Sequence, residues 1–220
     1  MLLVIKDILS VDECNRVIDG MNAQRFEAGT TTAGWHAKLV KKNEQLDRTH
    51  PDYAPLNTMV TEAIMRNATF RIGFRPRHIT PLLFSRYRDG MEYGTHVDDA
   101  LMYGVRSDIS FTLFLADPAS YDGGELVMET TGGETKYKLD RGELIAYSST
   151  TLHRVTPVTR GERMCAVGWC QSQVRDPAQR EILYELDLAR RSIFDRENKT
   201  REFDIISKAH ANLLRMWADG

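Results

Sequence analysis

A histidine and an aspartate stand two positions apart in EYGTHVDDALMYG, at His96 and Asp98, and a second histidine, His153, follows in SSTTLHRVTPV. Imidazole nitrogens and carboxylate oxygens both bind divalent transition metals. Residues two apart on a strand project to the same face, so His96 and Asp98 can grip one ion together. With His153 they make a set of two histidines and one carboxylate. Such a set occupies one face of an octahedron and leaves three positions open, as in non-haem Fe(II) oxygenases. Ten residues after His153 comes Arg163, in GERMCAVGW. On a strand, Arg163, Cys165, Val167 and Trp169 share one face, and Val167 and Trp169 should turn that face inward. A buried guanidinium is costly unless it meets an anion, and its planar fork suits a carboxylate. Each residue alone has a plainer reading: His96 and Asp98 as a surface pair at a strand end, His153 as a strand-end surface histidine, Arg163 in a salt bridge with Glu143 or Asp108. All four in this order on one β-rich segment point instead to a metal triad with a carboxylate anchor nearby.

The elements that must position these residues are legible in outline. LLVI reads as a short strand. Ser10 and Glu13 in SVDE form a capping-box pattern that opens a helix to about Met21. Residues 27–54 are polar and weakly patterned, and read as a short strand plus loops lying over the core. Residues 55–68 carry Leu56, Met59, Val60, Ala63 and Ile64 at helical spacing, with Pro55 suited to the first turn. From about residue 70 to 172, short apolar or alternating runs are separated by RDG, YDGG, TGGE, DRG and TRG. That spacing indicates an all-β barrel or double-sheet jelly roll. After residue 175, two charged amphipathic patterns follow. One carries Ile182, Leu183, Leu186, Ala189 and Ile193, the other Phe203, Ile206, Ala209, Leu213 and Met216. Each stripe must be buried, on the barrel or on a second copy of the protein.

The chain has 220 residues, 42% of them hydrophobic and 27% charged, with a formal net charge of −2. This is enough for a packed core without staples, and it offers no basic field for nucleic acid or a membrane surface. Cys14, Cys165 and Cys170 show no CxxC spacing and are odd in number, which suits reduced thiols in a cytoplasmic protein. The four apolar residues after Met1 are too few for a signal peptide or a span.

The order YRDGMEYGTHVD, ISFTLFLADPASYDGGELVM, GELIAYSSTTLHRVTPVTRGERMCAVGW resembles the prolyl/lysyl-hydroxylase-type Fe(II)/2-oxoglutarate dioxygenases, and most closely the bacterial PKHD-type hydroxylases. The resemblance covers about residues 78–178, and the helical tail fits the extension of the bacterial group. It implies a mainly β fold with flanking helices: a double-stranded β-helix (jelly-roll) core, residues 78–178, with an N-terminal α/β segment, 1–77, and a C-terminal helical extension, 179–220. It implies Fe(II) on His96, Asp98 and His153, and the C5 carboxylate of 2-oxoglutarate on Arg163, where many relatives carry lysine. Tyr87, in SRYRDG, falls where such enzymes often place a phenol near the cosubstrate; the alternative is an ordinary strand aromatic. No catalytic residue beyond the metal site is implied. Gly123 and Gly124 match a turn before a core strand and read as backbone geometry. The implied reaction is hydroxylation of a C–H bond of a small-molecule or peptidyl substrate, in family terms a prolyl or lysyl side chain, with release of succinate and CO2. L-ascorbate would re-reduce the iron, and the nearest relatives suggest a link to iron uptake.

Two other classes stand beside this one: a Zn hydrolase using the same ligands, and a non-catalytic sensor or ligand-binding jelly roll. The inward Arg163 favours the oxygenase. His36, His50, His78 and His210 lack a ligand-spaced partner and read as surface or packing residues. Trp35 and Trp217 read as core or interface anchors, and RRSIFDRENKTRE as a solvated helix face. The stripes of the C-terminal helices offer a homodimer interface.

Overall fold

The structure is a computed structural model that describes residues 1–219 except 33 and 36. His36, expected at the surface or in packing, therefore lies outside the described residues. In chain order the strands are β1 (Leu3–Ile5), β2 (Phe26–Ala28), β3 (Lys41–Lys42), β4 (Glu44–Leu46), β5 (Pro76–Ile79), β6 (Leu83–Tyr87), β7 (Glu92–His96), β8 (Leu101–Met102) and β9 (Val105–Arg106). Then come β10 (Ile109–Phe114), β11 (Asp122–Gly123), β12 (Leu126–Thr130), β13 (Gly133–Tyr137), β14 (Leu144–Ser148), β15 (His153–Val155), β16 (Val158–Arg160) and β17 (Arg163–Ser172). The helices are α1 (Val11–Asn22), α2 (Tyr53–Arg66), α3 (Ala68–Phe74), α4 (Pro177–Glu197) and α5 (Arg201–Trp217).

Two antiparallel sheets make the jelly roll. The major sheet runs β1-β14-β10-β17-β6-β4-β2, with β5 also on β17; the minor sheet runs β13-β12-β15-β7-β3. Register decides which residues face the interior. Ser110 lies opposite Tyr147 and Trp169, and Thr112 opposite Ile145 and Val167. Leu83, Ser85 and Tyr87 continue these rows opposite Val167, Cys165 and Arg163. Since alternate residues share a face, one face carries serine, threonine, tyrosine and arginine among its apolar residues. The other face, with Phe84 and Phe111, packs against helices: Tyr53 of α2 meets Phe84 edge-on at 6.0 Å, and Phe70 of α3 meets Phe111 at 5.7 Å. Gly168 belongs to this outer face, where an added Cβ would lie 2.5 Å from the Phe111 ring.

The Ser10 capping box forms as expected, each partner accepting from the other's backbone N–H. Pro55 sits in the first turn of α2, which begins at Tyr53. Three expectations need correction. The β-rich region does not begin at about residue 70: Asn67 accepts from the Phe70 N–H and caps α3, so the first strand of the region starts at Pro76. Residues 27–54 are not merely a covering layer, because β3 joins the minor sheet and β4 the major one. The stripe on α4 is displaced: Leu183 is buried together with Arg180 and Asp187, while Ile182 is 43% exposed. Arg180 is buried because its guanidinium caps the carbonyls of Val174 and Arg175 at 2.9 and 2.8 Å, a polar anchor that an apolar-stripe rule cannot see.

Candidate metal centre and cosubstrate pocket

The three predicted metal-binding residues converge. One ligand atom each from His96, Asp98 and His153 lies within 4.8 Å of the others, the one such histidine, cysteine or carboxylate group among the described residues. Convergence follows from strand pairing: β15 lies against β7 with His153 directly opposite His96. Two local details differ from the sequence reading. His153 opens its strand rather than ending one, and Asp98 lies two residues beyond the end of β7.

Both imidazoles are held in one orientation. His96 Nδ1 lies 2.8 Å from the Gly94 carbonyl and His153 Nδ1 lies 3.0 Å from the Thr151 carbonyl. A carbonyl only accepts, so each Nδ1 carries the proton and each Nε2 is free to bind a metal. The Nε2 atoms stand 3.8 Å from Asp98 Oδ1 and Oδ2 respectively. Ser110 donates its hydroxyl to Asp98 Oδ2 at 2.5 Å, and Ser149 Oγ lies 2.8 Å from Ser110 Oγ. The Tyr93 ring stacks on His96 at 3.6 Å, and Tyr147 meets His153 edge-on at 5.3 Å. Burial, and then the nearby His153, push the His96 imidazolium well below the usual histidine range. His96 is thus neutral at physiological pH, the form that can bind a metal.

The triad lines a cleft between the sheets, which Arg163, Tyr87, Val167 and Trp169 also line. Arg163 is 1% exposed. Neither alternative carboxylate reaches it: Glu143 pairs with Lys6, and Asp108 with Arg106. Its Nη1 donates to Cys165 Sγ at 2.9 Å, and its Nε has no partner among the described residues. Its guanidinium lies 5.1 Å from the Tyr87 ring centroid and 5.3 Å from that of Phe114. A carboxylate in the cleft would satisfy the open guanidinium edge. The buried Trp169 Nε1–H, on the same wall, also lacks a partner among the described residues. This donor set fits the terminal carboxylate of 2-oxoglutarate, and the histidine–carboxylate set fits Fe(II). Tyr87 is buried directly opposite Arg163, and burial raises its phenol far above the ordinary tyrosine value. Gly123 and Gly124 both have φ near +70°. A Cβ at Gly124 would lie 2.9 Å from Arg163 Cδ, so the turn makes room for the arginine stem.

Several contributing residues have no motif signal. Ser110 and Thr112 were detectable in principle, as alternating hydroxyls in the otherwise apolar DISFTLFLA run. Lys41, Asn43 and Gln45 line the same cleft from the segment that had looked like covering loop. His210, with no ligand-spaced partner in sequence, is buried in contact with Arg75, whose Nη2 lies 2.7 Å from His210 Nε2.

Comparison with known proteins agrees with this geometry. Residues 82–171 match the model of the 2OG-Fe(II) oxygenase superfamily. The chain is 51% identical over 222 residues to a PKHD-type hydroxylase of Crocosphaera subtropica and 52% identical over 219 residues to one of Acaryochloris marina, both pairs covering 100% of each chain. In fold it is similar to a Pseudomonas putida prolyl-4-hydroxylase (TM-score 0.55, 19% identity, 78% of this chain and 92% of that one). It is also similar to a Trichoplax adhaerens prolyl hydroxylase in complex with a hypoxia inducible factor peptide fragment (TM-score 0.58, 14% identity, 82% and 86%). No helix among the described residues is long and apolar enough to cross a membrane. The chain belongs to the PKHD-type hydroxylases, dioxygenases of the 2OG-Fe(II) oxygenase superfamily.

Proposed function

We propose that the chain hydroxylates a C–H bond of a small-molecule or peptidyl substrate, with His96, Asp98 and His153 holding Fe(II) and Arg163 holding the C5 carboxylate of 2-oxoglutarate. The observation that carries this reading is one cleft with two wall features: a triad whose Nε2 atoms are freed by Nδ1 bonds, and a buried arginine with no carboxylate partner. When bound by these residues, Fe(II) would supply O2 activation coupled to oxidative decarboxylation of 2-oxoglutarate to succinate and CO2. The protein's part is positional. Ser110 fixes the Asp98 carboxylate, the Gly94 and Thr151 carbonyls fix the imidazoles, and Arg163 sets the depth of the cosubstrate. Tyr87, across from Arg163, closes the cosubstrate end of the cleft as a neutral phenol.

The prolyl hydroxylases of similar fold support a prolyl side chain as the oxidised group; a lysyl side chain and a role in iron uptake rest on the family resemblance of the sequence alone. Ascorbate is the reductant that keeps the iron ferrous. A cytoplasmic setting suits three buried, free cysteines. A homodimer through the C-terminal helices suits Leu188, Phe194, Ile205 and Met216, all of them exposed; a monomeric mass at micromolar concentration would count against it. The test of the reading is turnover with Fe(II), ascorbate and 2-oxoglutarate, alone and with prolyl and lysyl peptides. Succinate should form in step with O2 uptake and disappear in Asp98→Ala. Absence of 2-oxoglutarate-dependent O2 uptake under all these conditions would contradict it.

A further inference from the structure

The cleft holds a second buried cation, on the wall opposite Arg163. Lys41 sits on β3 at the edge of the minor sheet, paired with Tyr93. Its neighbour Lys42 is exposed and approaches Glu92 at 3.8 Å. Lys41 faces the other way and is only 5% exposed. Its Nζ donates to Thr32 Oγ1 at 3.1 Å and stands 5.2 Å from the centroid of Tyr93, the ring that stacks on His96. Thr32 Oγ1 lies 2.6 Å from Gln45 Oε1, and Gln45 Nε2 reaches Ser85 Oγ at 3.4 Å. Thr32, Lys41, Asn43 and Gln45 thus form a polar corner where the chain crosses from the minor sheet to the major one.

An ammonium has three donors, and this one uses a single hydrogen bond among the described residues. Asp98 attracts it through space, but that carboxylate is committed to Ser110 and the metal site. Burial lowers the Lys41 pKa to about 8, which leaves the cation predominant at neutral pH. A buried ammonium without a paired anion is costly, and the cost is recovered when a ligand brings the anion. If Arg163 takes one carboxylate of 2-oxoglutarate and the metal takes the other, the cosubstrate has no charge left for Lys41.

We propose that Lys41 is the recognition cation for a carboxylate on the prime substrate. The simplest such substrate carries that group as an α-carboxylate, as in a free amino acid or a chain-terminal residue. This inference rests on the assignment of Arg163 to the cosubstrate.

The test uses the full chain loaded with Zn(II), which does not turn over, and saturated with 2-oxoglutarate. Calorimetric titration with Nα-acetyl-L-proline and Nα-acetyl-L-lysine is compared with titration of their primary amides. At least one acid should bind about tenfold more tightly than its amide, the size expected for a charge-assisted contact. Lys41→Met should reduce that preference to about twofold or less, while Lys41→Arg retains part of it. Affinity for 2-oxoglutarate itself should stay within about twofold in Lys41→Met and fall in Arg163→Met. Equal binding of acids and amides, or no binding of either, overturns the proposal. So does a loss of 2-oxoglutarate in Lys41→Met matching that of Arg163→Met, which would assign Lys41 to the cosubstrate and leave the hydroxylase reading intact. Failure of the wild-type chain to bind 2-oxoglutarate would remove both.

Discussion

Ser110 donates its hydroxyl to Asp98 Oδ2 at 2.5 Å, across twelve residues of chain that include the β8–β9 hairpin. This bond fixes the orientation of a carboxylate that lies beyond the end of β7. Outer partners of this kind contribute about 10–100-fold to metal affinity. Ser110→Ala should therefore weaken Fe(II) or Zn(II) binding by about that factor, with little change in the melting temperature of the metal-free protein. Titration against a competing chelator reads the first quantity and thermal unfolding the second. Unchanged metal affinity would mean that Asp98 is positioned by its backbone alone.

Arg163 carries a charge in the core with no carboxylate partner among the described residues. Arg163→Met should weaken 2-oxoglutarate binding by about 10–100-fold, the range of a lost charge-assisted hydrogen bond at a buried site. The same change should leave the ligand-free protein as stable or more stable by on the order of 1 kcal/mol, because an apolar isostere avoids burying an unpaired ion. Chemical denaturation of wild type and variant, with and without 2-oxoglutarate, separates the two effects. A variant that loses stability and cosubstrate affinity together would point to a structural ion pair.

The neutral His96 ties stability to pH. Its folded-state pKa lies below the ordinary value of about 6.5, so between the two values the unfolded chain binds a proton that the folded chain refuses. The corresponding stability is present in full above about pH 6.5 and is lost as the pH falls toward the lowered value, at up to about 1.4 kcal/mol per pH unit. Unfolding of the metal-free protein between pH 7.5 and 5 should show this loss, and His96→Gln should flatten the profile. An identical slope in the variant would contradict it.

Gly124 couples backbone conformation to the position of Arg163. Gly124→Ala combines a positive φ of +68° with a Cβ 2.9 Å from both Arg163 Cδ and Val158 Cγ2. The left-handed conformation alone costs about 1–2 kcal/mol for a residue with a Cβ. The variant should lose at least that much stability, and its affinity for 2-oxoglutarate should fall because the arginine stem must move. Calorimetry of both properties checks this, and wild-type affinity in a destabilised variant would show that Arg163 accommodates the methyl group.

The site was readable where chemistry and strand periodicity coincide. His96, Asp98, His153 and Arg163 are chemically distinctive and lie on or beside strands whose inward faces alternation reveals. Asn67 shows the limit in the scaffold: its cap starts a seven-residue helix where an apolar run resembles a strand. Arg180 and Asp187 show it in the tail, where buried ionic groups replace the apolar stripe that α4 suggested. Lys41 lies in a polar, weakly patterned segment, and only the tertiary path from β3 to β4 places it in the cleft. Short edge strands take their position from partners distant in sequence, so no local pattern announces them.

The most direct test of the central claim is an anaerobic titration of the metal-free chain, first with Fe(II) and then with 2-oxoglutarate, followed by visible absorption. A weak metal-to-ligand charge-transfer band should appear only when both are present. It should be absent in His96→Ala and should need much more 2-oxoglutarate in Arg163→Met. No band in the wild-type chain, together with tight Zn(II) binding, would contradict the account and indicate a hydrolytic or structural metal site.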